Sequence, residues 1–177
     1  NAKEKVSGFE TTVPVDHAIQ GFWSTRLNLS EADGTVDVIK DLFGFEEKES
    51  KGNLTRFETE ANIGGNLIIE TGNDSLGKNG RGIVHHVAFR AKDVAELETL
   101  REQVLSKGLH PTQVIDRHWF NSVYFKEPGG VLFEIATDGP GYDSDEDFEH
   151  LGEKLVLPPW LEPRRTLIES TLPELNI

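Results

Sequence analysis

The sequence predicts an α+β fold made of two tandem βαβββ units that build a curved mixed sheet. Three observations carry this prediction. A stretch alternating with period two is followed by a helical run and then three short strand candidates. The same order recurs downstream. Matched residues in the two copies keep a nearly constant spacing: Ser24 with His86, Gly44 with Gly108, and Gly64-Gly65 with Gly129-Gly130 lie 62 to 65 residues apart. A steady offset of this kind marks an internal duplication.

In the first copy, residues 21–31 (GFWSTRLNLSE) alternate as a strand. Residues 32–43 have helical spacing through Val36, Ile39 and Leu42 or Phe43, with Gly44 as the stop. Strands are expected near 45–48, 54–59 and 66–70, separated by the turn formers Gly52-Asn53 and Gly64-Gly65. In the second copy a strand is expected over 83–90 and a helix over 94–107, stopped by Gly108. Further strands are expected near 110–115, 120–126 and 131–136. The units therefore span 21–70 and 83–136. Residues 1–20, interrupted by Pro14, read as a lead-in or linker, and His17 beside Asp16 as a linker histidine. Residues 71–82, rich in Gly, Asn and Ser, form a loop. Residues 137–177 comprise an acidic loop and a short helix after Pro158-Pro159.

With 177 residues, 36% of them apolar, the chain can bury a real core as one domain or two fused units. It has no cysteine, which excludes disulfides, zinc fingers, thiolate nucleophiles and iron–sulfur clusters and makes a cytoplasmic location the expectation. Any metal chemistry must use His, Asp and Glu. A net charge of −13, from 31 acidic and 18 basic residues, argues against a nucleic-acid partner. No apolar run approaches the roughly 20 residues that span a bilayer, so no membrane partner is expected. The chain starts at Asn1 and contains no methionine, which suggests a piece of a longer polypeptide. Asp143, Asp145 and Asp147 imitate the start of a calcium loop. Phe148 and Lys154 occupy the positions where that loop needs Gly and Glu, and calcium is rejected.

Strand parity singles out the candidate site. Successive side chains point to opposite faces of a strand. Val87 and Phe89, Val123 and Phe125, and Val131, Phe133 and Ile135 then share an apolar face, the natural seat for the helix bearing Leu97, Leu100 and Val104. The other face collects His86 and Ala88, then Phe120, Ser122 and Tyr124, then Leu132 and Glu134. His86 and Glu134 are read as two ligands of one metal. Singly, His86 also fits a core histidine bonded to a carbonyl, and Glu134 a carboxylate paired with an arginine such as Arg117. Together in adjoining apolar strands they carry a desolvation cost that a divalent cation offsets. His85 has the opposite parity, though a bulge or twist at the strand start brings such a residue near. His110 and His118 precede Phe120 in a loop without fixed parity. In the first copy Ser24 and Ile69 stand at the positions of His86 and Glu134, and Glu70 falls on the wrong face, so that unit lacks metal ligands. Two ligands fall short of the three that a usual site needs.

Two βαβββ units with a His in the first strand and a Glu in the last resemble the vicinal oxygen chelate superfamily, which includes glyoxalases, bleomycin-resistance proteins and extradiol ring-cleaving dioxygenases. Within it, HHVAF, then DRHWFNSVYFKEPGGVLFEIATDGPGY, then LGEKLVLPPWLEPRR resemble the C-terminal half of the hydroquinone-type ring-cleaving dioxygenases. The resemblance implies a glyoxalase/bleomycin resistance/dioxygenase-like fold. It also implies iron(II), with manganese(II) as the alternative, bound by His86 and Glu134, with the third ligand supplied from outside this chain by a histidine of the N-terminal half. His85, Tyr124 and Arg117 resemble residues that support the metal or contact substrate. The implied partners are a small aromatic substrate of hydroquinone or catechol type, O2, the N-terminal half of the parent protein and, additionally, a second copy in a homo-oligomer. Two other functions stay open at this point. One is a glyoxalase-like metal-dependent lyase or isomerase, and the other a non-catalytic aromatic- or drug-binding protein of the bleomycin-resistance type.

Overall fold

The computed structural model describes residues 12–72 and 80–173. The expected lead-in and the 71–82 loop therefore lie partly outside the described residues. The first unit runs β1 (Ser24–Leu29), α1 (Asp33–Phe43), β2 (Glu46–Lys51), β3 (Leu54–Glu58), β4 (Asn66–Thr71). The second runs β5 (Val87–Ala91), α2 (Val94–Ser106), β6 (Ile115–Asp116), β7 (Asn121–Lys126), β8 (Leu132–Thr137). A short helix, α3 (Arg165–Thr171), lies near the end. Each unit forms its own four-stranded mixed sheet, in the orders β1-β4-β3-β2 and β5-β8-β7-β6. The first strand of each unit pairs parallel with the last, and the remaining pairs are antiparallel.

Two strands are shorter than the apolar pattern predicts. Regular pairing of β5 begins at Val87 opposite Phe133, so residues 83–86 lead in outside the ladder. In the same register, residues 83–85 would lie beside the Gly129-Gly130 turn and Val131, before β8 begins at Leu132. Of residues 110–115, only Ile115 joins a strand. Pro111 cannot donate to a ladder, and the segment instead makes isolated bonds to β7: Thr112 N–H donates to the Tyr124 carbonyl at 2.9 Å and Thr112 Oγ1 accepts from Tyr124 N–H at 3.1 Å.

The helix-facing sides of both sheets merge into one apolar cluster. Leu27, Leu29, Phe57, Leu67 and Ile69 come from the first sheet and Val123, Phe125, Phe133 and Ile135 from the second. Val38 and Ile39 of α1 and Leu97 and Val104 of α2 lie among them. The end of α1 reaches into the second unit, where Phe43 stacks on Phe89 with centroids 3.8 Å apart and Phe89 meets Phe133 edge-on at 4.9 Å. α2 starts on a reciprocal cap, Asp93 accepting from Glu96 N–H at 2.9 Å and Glu96 from Lys92 N–H at 2.7 Å.

A polar clasp joins the units at the other end of α1. Glu127, in the turn between β7 and β8, is only 2% exposed. Its carboxylate accepts from Gly129 N–H at 2.8 Å, from Val131 N–H at 2.7 Å and from the hydroxyl of Thr35 in the first turn of α1. Close approach explains two glycines here. A Cβ on Gly129 would lie 2.6 Å from Thr35 Oγ1, and one on Gly34 would lie 2.6 Å from the Pro128 ring.

Candidate metal centre

β7 and β8 present Tyr124 and Glu134 directly opposite one another, and β5 sets Ala88 beside Glu134 on its other flank. His86 stands immediately before β5 and leans over the carboxylate. Its Nε2 lies 2.9 Å from Glu134 Oε2. The Tyr124 hydroxyl donates to Glu134 Oε1 at 2.5 Å, and the His86 ring sits edge-on to Tyr124 with centroids 5.9 Å apart. Glu134 forms the floor, its side chain 5% exposed, and His86 the mouth, 35% exposed.

His85 joins in spite of its parity, because residues 83–86 are free of the ladder that would enforce alternation. Its Nδ1 lies 2.9 Å from His86 Nδ1. One of these nitrogens must carry the shared proton. When His86 Nε2 donates to Glu134, His85 donates to His86 Nδ1. When Nε2 offers its lone pair to a cation, the proton sits on His86 Nδ1 and His85 accepts it. His85 thus sets which nitrogen of His86 is available, the usual task of a partner behind a metal-binding imidazole.

Burial raises the Tyr124 phenol above its ordinary pKa and the hydrogen bond to Glu134 adds to the rise, while the Ser122 hydroxyl and the Arg117 guanidinium pull the other way. Tyr124 is therefore a proton donor at neutral pH. Arg117 itself is exposed, and its backbone N–H donates to the Phe120 carbonyl at 2.9 Å.

The pair suits a divalent cation. Two adjacent ligand atoms of an octahedral ion with bonds of about 2.1 Å stand about 3 Å apart, close to the 2.9 Å between Nε2 and Oε2. An imidazole with a carboxylate is a nitrogen–oxygen donor pair of the kind that divalent transition-metal ions take. No group of three His, Asp or Glu side chains able to hold a metal occurs among the described residues. His110 is exposed. His118, in the left-handed region at φ 74°, directs its Nε2 to Asp145 at 2.8 Å, and Asp145 also accepts from Trp119 Nε1 at 2.7 Å. His17 faces Asp16 at the exposed lead-in.

The first sheet corrects one equivalence. Its register pairs Arg26 with Ile68 and Arg56 with Ile68, whereas the second pairs Ala88 and Tyr124 with Glu134. Ile68, not Ile69, is therefore the counterpart of Glu134, because one residue separates Gly65 from the core residue Leu67 and two separate Gly130 from Phe133. Glu70 consequently lies on the open face. It bonds Arg26 there, and Arg56 donates to Asn66 at 3.0 Å and to Glu58 at 3.2 Å. Ion pairs occupy the face that carries His86, Tyr124 and Glu134 in the second unit.

Sequence reasoning placed Ser122 on the site face without a role and missed Thr112, which fixes the Tyr124 backbone. No periodic signal marks either residue.

The chain is 39% identical over 160 residues to MhqO of Bacillus subtilis (strain 168), provisionally named a ring-cleaving dioxygenase; the match covers 90% of this chain and 51% of MhqO. It is 30% identical over 158 residues to the chlorohydroquinone/hydroquinone 1,2-dioxygenase of Sphingobium indicum, covering 85% of this chain and 48% of that protein. The crystal structure of a Bacillus subtilis protein provisionally titled a dioxygenase superposes with a TM-score of 0.90 at 37% identity, over 95% of this chain and 56% of that one. The chain spans about half the length of the relatives it matches. The family model of the Glyoxalase/Bleomycin resistance protein/Dioxygenase superfamily matches residues 11–135, and the chain belongs to that superfamily.

Proposed function

We propose that this chain is the C-terminal half of an iron(II)-dependent, cytoplasmic ring-cleaving dioxygenase acting on hydroquinone- or catechol-like aromatics, with manganese(II) as the alternative ion. The observation that carries the reading is the His86–Glu134 pair, 2.9 Å apart on a buried floor with Tyr124 locked to the same carboxylate. The names of the relatives supply the reaction class. In this reading residues 83–136 form the metal unit and residues 21–70 a unit without ligands. No helix among the described residues is long and apolar enough to cross a membrane.

His86 Nε2 and a Glu134 oxygen hold the ion, and a histidine from the N-terminal half completes the set. When bound, the ion supplies open positions for a substrate oxygen and O2 and a path for electrons between them. Tyr124 keeps its proton on Glu134 Oε1 and so fixes the carboxylate rotamer. His85 holds the His86 tautomer that leaves Nε2 free. In this reading His85 is the proton donor to developing negative charge, Tyr124 acts on the chemistry through the carboxylate it holds, and Arg117 adds positive charge for a substrate oxyanion. Ser24 and Ile68 offer neither the imidazole nor the carboxylate that His86 and Glu134 supply, which disfavours a lyase or isomerase drawing ligands from both units of this chain.

The test is oxygen uptake with hydroquinones by the full-length, iron-loaded protein. Uptake that is abolished in His86→Ala and Glu134→Ala supports the reading. A full-length protein that takes up no metal from iron-replete medium and is indifferent to His86→Ala defeats it.

A further inference from the structure

Tyr124 stands where β7 runs out of a neighbour on one side. β8 flanks β7 on the inner side, and on the outer side β6 covers only Asn121 and Ser122. Both backbone polar groups of Tyr124 are directed to the outer side, at a single residue of the loop after α2. Thr112 N–H donates to the Tyr124 carbonyl at 2.9 Å, and Tyr124 N–H donates to Thr112 Oγ1 at 3.1 Å. In a regular antiparallel ladder the Tyr124 N–H would meet the Thr112 carbonyl instead. That carbonyl is taken by Arg101 of α2, whose Nε donates to it at 2.7 Å. The threonine hydroxyl therefore stands in for the diverted backbone acceptor. Thr112 is exposed, so its contribution lies in these bonds rather than in core packing.

We propose that Thr112, braced by Arg101, is a positioning residue of the metal centre: it holds the Tyr124 backbone at the outer edge of β7 and so keeps the phenol on Glu134 Oε1. An uncovered strand edge opens more readily than a paired one. The bond of 2.5 Å from the phenol to Oε1 weakens steeply when its donor is misplaced. Four residues in series, Arg101, Thr112, Tyr124 and Glu134, thus tie α2 to the carboxylate that faces His86. The brace rests on the metal reading only for its purpose, since each of its bonds belongs to the chain alone.

The chain has two tyrosines. Tyr142 stacks on Trp119 and lies outside the brace. A chain labelled with carbon-13 at tyrosine Cζ thus gives two NMR signals, assigned by Tyr142→Phe. Thr112→Val keeps the shape and removes the acceptor of Tyr124 N–H, so exchange of that amide with solvent is expected to quicken about 10-fold. The same variant is expected to shift the Tyr124 Cζ signal and leave that of Tyr142 in place, and Thr112→Ser, which keeps the hydroxyl, restores both readouts. Arg101→Met frees the Thr112 carbonyl, is expected to shift the Tyr124 signal less, and carries the test if Thr112→Val fails to fold. A purely structural threonine would quicken the amide and leave the phenol signal unmoved. That result, in an experiment where Glu134→Gln moves the signal, overturns the proposal, as does an amide whose exchange is unchanged. Metal is absent throughout, so these outcomes are distinct from failure of the metal reading, which shows as absence of metal uptake by the full-length protein.

Discussion

The two oxygens of Glu134 are divided between Tyr124 and His86: Oε1 accepts the phenol proton at 2.5 Å, and Oε2 faces the imidazole Nε2 at 2.9 Å. A carboxylate held at both ends cannot turn to bind an ion with either oxygen at random. Tyr124→Phe frees Oε1 while leaving the ring packing, so metal affinity in the full-length protein is expected to fall about 10-fold with little change in thermal stability. A titration with cobalt(II) or iron(II) under anaerobic conditions measures it.

The adjacent histidines separate by role. His86→Ala removes a ligand atom and is expected to abolish stoichiometric metal. His85→Ala leaves Nε2 in place and removes only the partner of Nδ1, so metal still binds, about 10-fold more weakly. Metal analysis of both variants after dialysis at fixed free ion distinguishes them. Equal losses would show that His85 ligates too.

Much of this architecture is legible because its signals are periodic. Alternation along β7 and β8 placed Tyr124 and Glu134 on one face and Val123, Phe125, Phe133 and Ile135 on the other, and the structure has this arrangement. What escaped is what periodicity does not encode. Glycine spacing could not reveal the extra residue before β8, which makes Ile68 the counterpart of Glu134. The apolar content of residues 83–86 reads as strand, yet pairing depends on whether a neighbour exists there. Glu127 sits in a Glu-Pro-Gly-Gly sequence that reads as a solvated turn, and only the approach of α1 buries it.

Alkaline titration probes the phenol directly. The Tyr124 pKa is raised above 10.0 by burial first and by its bond to Glu134 second. A folded-state value above the unfolded one means that the protonated phenol contributes stability fully below about pH 10, which is lost as pH rises through the higher folded value. Tyrosinate absorbance should therefore show Tyr124 ionising later than free tyrosine. Glu134→Gln should move that step down, and Arg117→Ala, which removes an opposing charge, should move it up.

The Glu127 clasp decides whether the units unfold together. Its carboxylate satisfies two backbone amides of its own turn and the Thr35 hydroxyl of the other unit's helix, all in a buried setting. Glu127→Ala strands these donors and is expected to cost about 3 kcal/mol. Thr35→Val removes one donor at constant shape and leaves the turn intact, with an expected cost of about 1.5 kcal/mol for a bond to a charged group. Gly129→Ala acts by collision with Thr35 Oγ1 rather than by loss of a bond. It is therefore partly relieved by Thr35→Ala, a non-additivity absent for distant sites. Urea unfolding followed by tryptophan fluorescence and by far-ultraviolet dichroism gives all three values. Because both sheets share one apolar cluster, the two probes should trace a single transition in the wild-type chain. Separate transitions in the wild type would show that the clasp and the Phe43–Phe89 stack do not couple the units.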